Sequence, residues 1–382
     1  MGLRDVLGSH RVVVTVGSGG VGKTTTAAAM AVHAAMEGRR VLCLTIDPAR
    51  RLANSLGLDE MTTSEQDVPE ALFRKQGLER KGSLSAMMLD TKRTFDALVA
   101  TYASDDEARE RILNNQIYQY VASSLAGTQE YMAMEKLHEV RKDPQWDLIV
   151  LDTPPTASAI DFLNAPERLI DAIDSPAMRW FIQVFEGAGK EAFGLVGRGA
   201  TVLIRGIGRI TGIGFLEQVA EFVGGINELF GGFKERATQV SDALRSPEVA
   251  FVLVTSPDPM AIGEARFFSE KLADAGMHRE AIIVNRVHTL IEEPNLSDAD
   301  QVKALREVLP DSMDADDIQP RLSEALVAER TSATADLAQV KRLIEEIGNN
   351  TPVVEVPAFD EDVHDLAALA RVATYLTNAA KV

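Results

Sequence analysis

The chain has 382 residues, enough for two or three domains at about 150 residues each, although single open α/β sheets also reach this length. Apolar residues make up 46%, charged residues 25% and aromatics 5%, which excludes a disordered or fibrous chain. Lys+Arg 39 against Asp+Glu 57 gives a net charge of −18; that acidity repels phosphate backbones and no basic stripe interrupts it, so no nucleic-acid partner is expected.

The single cysteine, Cys43, rules out a disulfide framework or a cysteine-rich zinc site within one chain and suits the reducing cytoplasm. Met1 to Arg11 has no apolar h-region and nowhere do eighteen uncharged apolar residues run together, so neither export by that route nor a membrane span is expected, and membrane contact is expected to be peripheral at most.

In chain order, short β-branched runs alternate with long helical stretches. The expected strands are Arg11 to Val16, Val41 to Ile46, Leu84 to Leu89, Asp147 to Leu151, Val249 to Thr255, Ala281 to Asn285 and Pro352 to Val356. Several read as continuous apolar runs, as strands buried on both faces do. The pattern predicts an α/β fold, a mostly parallel doubly wound sheet of about seven or eight strands.

The first strand runs into Gly17-Ser18-Gly19-Gly20-Val21-Gly22-Lys23-Thr24-Thr25, and an Ala-rich helical run follows. This is the G-x4-G-K-S/T pattern in its strand, loop and helix context. Gly19, Gly20, Val21 and Gly22 would turn backbone N–H groups towards phosphates at a helix N-terminus. Lys23 would reach the β- and γ-phosphates, and Thr24 would ligate Mg²⁺ with Thr25 beside it. The cofactors expected are therefore ATP and Mg²⁺.

Two strand-end carboxylates complete the arrangement. Asp152 closes Asp147-Leu148-Ile149-Val150-Leu151-Asp152, the hydrophobic strand ending in the aspartate that sits beside Mg²⁺. Asp47 ends the second strand and precedes Pro48-Ala49-Arg50; there it could orient or deprotonate the water that attacks the γ-phosphate.

A glycine-rich segment interrupts the alternation: 13 of the 27 glycines lie between Gly187 and Gly232. On one side Met178, Phe181, Ile182 and Phe185 form an apolar stripe, and on the other Leu216, Val219, Val223, Ile226, Phe230 and Phe233 form a second. Such stripes serve either as the core of a helical subdomain or as a groove for a hydrophobic client helix. From Leu290 onward, 19 acidic residues face 8 basic ones, which predicts a mostly solvated helical tail whose last strand returns to the sheet near Val353.

Taken together these motifs resemble the ArsA-type ATPases, which include arsenite-pump ATPases and the guided-entry factors for tail-anchored membrane proteins. The loop is similar to that family's deviant Walker A, Asp47-Pro48-Ala49-Arg50 resembles its switch I, and Asp152-Thr153-Pro154-Pro155-Thr156 its switch II. Leu125 to Glu130 resembles its Pro-Gly-x-Asp-Glu segment, and Val284-Asn285-Arg286 and Val356-Pro357 resemble its adenine-reading elements. The resemblance implies catalytic roles for Asp47 and Lys23, nucleotide contacts by Asn285 and Pro357, and metal ligation by Thr24 and Asp152. It also implies an ATPase domain over residues 1–90, 128–165 and 246–382, a helical subdomain over 91–127 and 166–245, and a homodimer or a heterodimer with a related ATPase.

The chain departs from the family where its signature lysine is replaced by Ser18. In P-loop hydrolases a trans-acting cation is worth about 10³ to 10⁵ in rate. A slow switch, replacement by Arg50 or Arg51, and a partner subunit that donates its own lysine are all compatible with that loss. A chaperone or targeting factor for hydrophobic segments is the leading expectation. A positioning ATPase of the MinD and ParA kind, which needs a membrane-seeking terminal helix or basic surface, and an ATP-binding regulatory subunit are the rivals. Arsenite efflux is not expected, because a soft site needs several thiolates.

Overall fold

The computed structural model describes residues 2–46, 51–124, 128–153, 164–176, 218, 222, 235–292, 295–310, 312–348 and 351–378. Eight strands form one sheet: β1 (Val12–Val16), β2 (Arg40–Thr45), β3 (Gln66–Asp67), β4 (Ser83–Met88), β5 (Leu148–Asp152), β6 (Val249–Thr255), β7 (Arg279–Val287) and β8 (Val353–Pro357). Their order is β3-β4-β2-β5-β1-β6-β7-β8. Every pairing is parallel except β3 with β4. All seven expected strands are present within one or two residues; the added one is the antiparallel edge β3.

Alternation along the strands builds two cores, one on each face. Val12, Val14, Leu42, Leu44, Ile149 and Leu151 pack with Phe95, Tyr118, Leu137 and Phe268 on one side. Val13, Val41, Cys43, Val150 and Val252 pack with the helix Lys23–Met36 and with Leu366, Leu369 and Val372 of the helix Leu366–Thr377 on the other. The helix Lys23–Met36 is buried nearly all round, with Ala27, Ala28, Ala29, Ala31, Ala34 and Ala35 at 2% exposure or less. Alanine favours the helix and is small enough to let both the sheet and the C-terminal helix approach closely.

β1 lies between β5 and β6, so the loop that follows it opens at the C-terminal edge, where the strand order turns back on itself. The acidic tail is helical as expected: the helix Asp298–Val308 has no buried residue, and Ala315–Ile347 buries only Ala315, Gln319, Ala333, Val340 and Leu343. The apolar stripes at Met178 to Phe185 and at Leu216 to Phe233 lie outside the described residues; Phe222 within the second is half-buried against the core. Among the described residues no helix is long and apolar enough to cross a membrane.

Candidate nucleotide site

The loop between β1 and its helix is held in place by backbone shape. At Gly17 a Cβ would run into the carbonyl oxygen of Val254 on β6, and Gly20 and Gly22 have φ of 80° and 97°, a region that favours glycine. At Gly22 a Cβ would also meet the amide of Asn285. The glycines therefore answer to the neighbouring strands as well as to the turn.

Lys23 is 5% exposed, and its Nζ donates to the carbonyls of Gly17 (2.9 Å) and Ser18 (2.7 Å). The ammonium thus sits inside the curl of the loop, next to where an anion would enter. Thr24 Oγ1 donates to Asp152 Oδ2 at 2.8 Å, and Thr45 Oγ1 on β2 donates to the same oxygen at 3.0 Å. Asp152 is 1% exposed. Thr153 follows it and anchors the strand end to β1, its hydroxyl donating to Thr15 O at 2.7 Å.

Lys23, Thr24 and Thr153 line a cavity of about 570 Å³, within the range of small-molecule sites. Gly20, Gly22, Lys23, Thr24, Thr25, Asn285 and Pro357 all face it. Val21 is buried, with its carbonyl accepting from Asn285 Nδ2 at 2.9 Å, and Gly19 is exposed on the rim. Asp47 and Arg50 lie outside the described residues, as do residues 154–163 of the second switch and 125–127 of the intervening segment. Arg51 lines the cavity.

Thr45 and Phe359 were not anticipated as parts of the site, and Arg286, expected beside Asn285 in an adenine-reading element, takes a backbone conformation that was not. Thr45 gives a second hydroxyl to Asp152; its sign in the sequence is a polar side chain in an otherwise apolar buried strand, which must find a partner. Phe359 on the cavity wall is fixed by Tyr375, with ring centroids 5.7 Å apart, and by the Arg371 guanidinium 4.4 Å over its face. Arg286 has φ of 63°, the one positive value at a non-glycine among the described residues, at a cost of about 1–3 kcal/mol. Cys43 is fully buried in β2; burial first, and then the Asp152 charge, push its thiol well above the usual range, so it is an inert core residue.

The chemistry of the donors suits a hard divalent cation: the hydroxyl of Thr24 and the carboxylate of Asp152 are oxygen ligands of the type Mg²⁺ accepts, meeting at the mouth of a phosphate-shaped loop. Residues 10–187 match the family model of the anion-transporting ATPases. That segment, a little under half of the chain, is similar to the anion-transporting ATPases. Relatives agree over a longer span. The ATPase resembles ATPase get3 of Neurospora crassa, 26% identical over 300 residues that cover 78% of this chain and 79% of that one. It resembles ATPase GET3 of Chaetomium globosum, 27% identical over 298 residues covering 78% of each. A protein named as an arsenical pump-driving ATPase in Aquifex aeolicus is 25% identical over 298 residues, covering 75% of this chain and 66% of its own length. The ATPase therefore uses ATP, and its matched segment contains the loop, Thr45 and Asp152.

Proposed function

We propose that this ATPase is a Mg²⁺-dependent, nucleotide-controlled switch, dimeric and slow in turnover, that acts as a chaperone or targeting factor for hydrophobic protein segments. The observation that carries the reading is the convergence of Thr24 and Thr45 on one oxygen of buried Asp152. It joins the phosphate loop, β2 and β5 at a single carboxylate, so that a change at the nucleotide is felt by both switch-bearing strands.

Thr24 and Asp152 would hold the ion, which when bound neutralises charge on the β- and γ-phosphate oxygens. Thr45 keeps the Asp152 carboxylate oriented. Lys23 exchanges its loop carbonyls for phosphate oxygens when the nucleotide enters, and Gly20 and Gly22 let the backbone close around it. Asp47 positions the attacking water, as the family resemblance implies. Ser18 brings no cation, which accounts for the slow turnover. Handling of a hydrophobic client is supported by the apolar stripes at Met178 to Phe185 and Leu216 to Phe233 and by the resemblance to guided-entry factors.

Two measurements test this. Phosphate release with Mg²⁺ and ATP should fall at least about tenfold in Asp47→Asn and in Asp152→Asn; release that persists in both would remove the switch reading, and none even in the native chain would leave a binding subunit. A photocrosslinker at Phe181 should capture a transmembrane-type peptide in one nucleotide state and lose it in another. Absence of capture in every state would remove the client role.

A further inference from the structure

We propose that Arg286 is a phosphate-clamping residue, a cation supplied in cis at the rim of the loop; the proposal rests on the ATP-site reading above. Three features of the strand end point there. First, the β7–β8 register shifts at this residue: Asn285 faces Val356 and Val287 faces Pro357, so Arg286 is the extra residue of a bulge, a device that re-aims a side chain beside a site. Second, its backbone is left-handed, with φ of 63°, a conformation an arginine adopts only when its surroundings impose it. Third, the side chain so aimed reaches the loop: Nη1 donates to Gly20 O at 3.3 Å, and the residue lines the cavity with Lys23 and Thr24.

The neighbouring residue shows what the distortion achieves. Asn285 Nδ2 donates to Val21 O at 2.9 Å, so two consecutive residues of β7 grip two consecutive carbonyls of the loop. Asn285 serves from a regular strand position. Arg286 needs the bulge and the left-handed turn to face the same way. A guanidinium carries five N–H donors in a planar fork that matches phosphate, and one bond to Gly20 O leaves the others for an anion. The rim is open, since Gly19, Gly20 and Arg286 are all exposed, so a bound polyphosphate can be covered from this side. Ser18 leaves the loop without a cation of its own there.

The test is titration of the full chain with Mg²⁺ and ATP, ADP or AMP, using calorimetry, together with thermal melting without nucleotide. The native chain should bind ATP, and Arg286→Ala and Arg286→Gly should each lose about tenfold in ATP affinity. AMP affinity should stay within about twofold, and Arg286→Lys, which keeps the charge but loses the fork, should bind ATP with an affinity between those of the native chain and Arg286→Ala. Arg286→Gly should melt no lower than the native chain, because glycine accepts the left-handed backbone. Equal ATP affinity in all variants, an equal loss for all three nucleotides, or a lower melting point in Arg286→Gly would overturn the clamp. A native chain that binds none of the three nucleotides would instead overturn the ATP-site reading itself.

Discussion

Gly17 shows how tightly the phosphate loop is tied to the sheet. Its Cα lies against the Val254 carbonyl with no room for a methyl group, so Gly17→Ala must push β1 and β6 apart where both are fully buried. We expect a loss of about 2–4 kcal/mol in unfolding free energy, read by urea denaturation, with ATP binding weakened in parallel. A change below about 0.5 kcal/mol would mean that the loop can shift without the sheet. The motif residues were readable because their chemistry is local, set by spacing along one turn and one helix. Thr45, Phe359 and the bulge at Arg286 were not, because each acts across the sheet on a residue far away in sequence.

The helix Thr128–Val140 gathers polar groups on a buried face. Tyr131, Glu135 and His138 are spaced at helical intervals, and all are buried. Glu135 Oε1 accepts from Arg236 at 2.6 Å, in a pair that is 4% and 16% exposed. Removing the acid as Glu135→Ala strands the guanidinium, and should cost about 3 kcal/mol, whereas Glu135→Gln keeps an acceptor and should cost less; urea denaturation of both separates the two. Equal, small losses would show that solvent already screens the pair.

His138 on the same helix has neither ring nitrogen hydrogen-bonded among the described residues, and burial first, then the Arg236 charge, hold its pKa down to about 4. The unfolded chain binds its proton near pH 6.5. Between these values the unfolded state carries more protons, so stability is full above about pH 6.5 and falls as the pH drops towards 4, by about 2 kcal/mol at pH 5. His138→Leu should flatten that slope when denaturation is compared at pH 7 and pH 5. An unchanged slope would place the proton uptake elsewhere. Spacing along this helix does not reveal its pairing, since Arg236 arrives from another segment. The seven long strands were legible from their apolar runs; β3 was not, because two polar residues carry no periodicity.

Across the whole molecule, nucleotide and fold are coupled. The helix that begins at Lys23 is covered by the sheet on one side and by Leu366–Thr377 on the other, so a ligand gripped at its N-terminus stabilises the full stack. Mg²⁺ and ATP at about 100 times the dissociation constant should add about 2.7 kcal/mol to the unfolding free energy. The same addition to Lys23→Ala should add nothing measurable, although the apo variant still folds; a stabilisation of equal size in the variant would put the ligand elsewhere. The doubly wound class was legible at this scale because parallel strands and intervening helices leave a period in the chain, while the far wall of the cavity, with Asn285 and Pro357, was expected only from the family resemblance, because it lies far from the loop in sequence.

That last arrangement bears on biosynthesis. Gly20 and Lys23 are synthesised more than 300 residues before Pro357 and Phe359, which face them across the cavity. A nascent polypeptide halted before β8 therefore has a phosphate cradle with no opposite wall. Full capture of the nucleotide waits until β8 has joined the sheet beside β7.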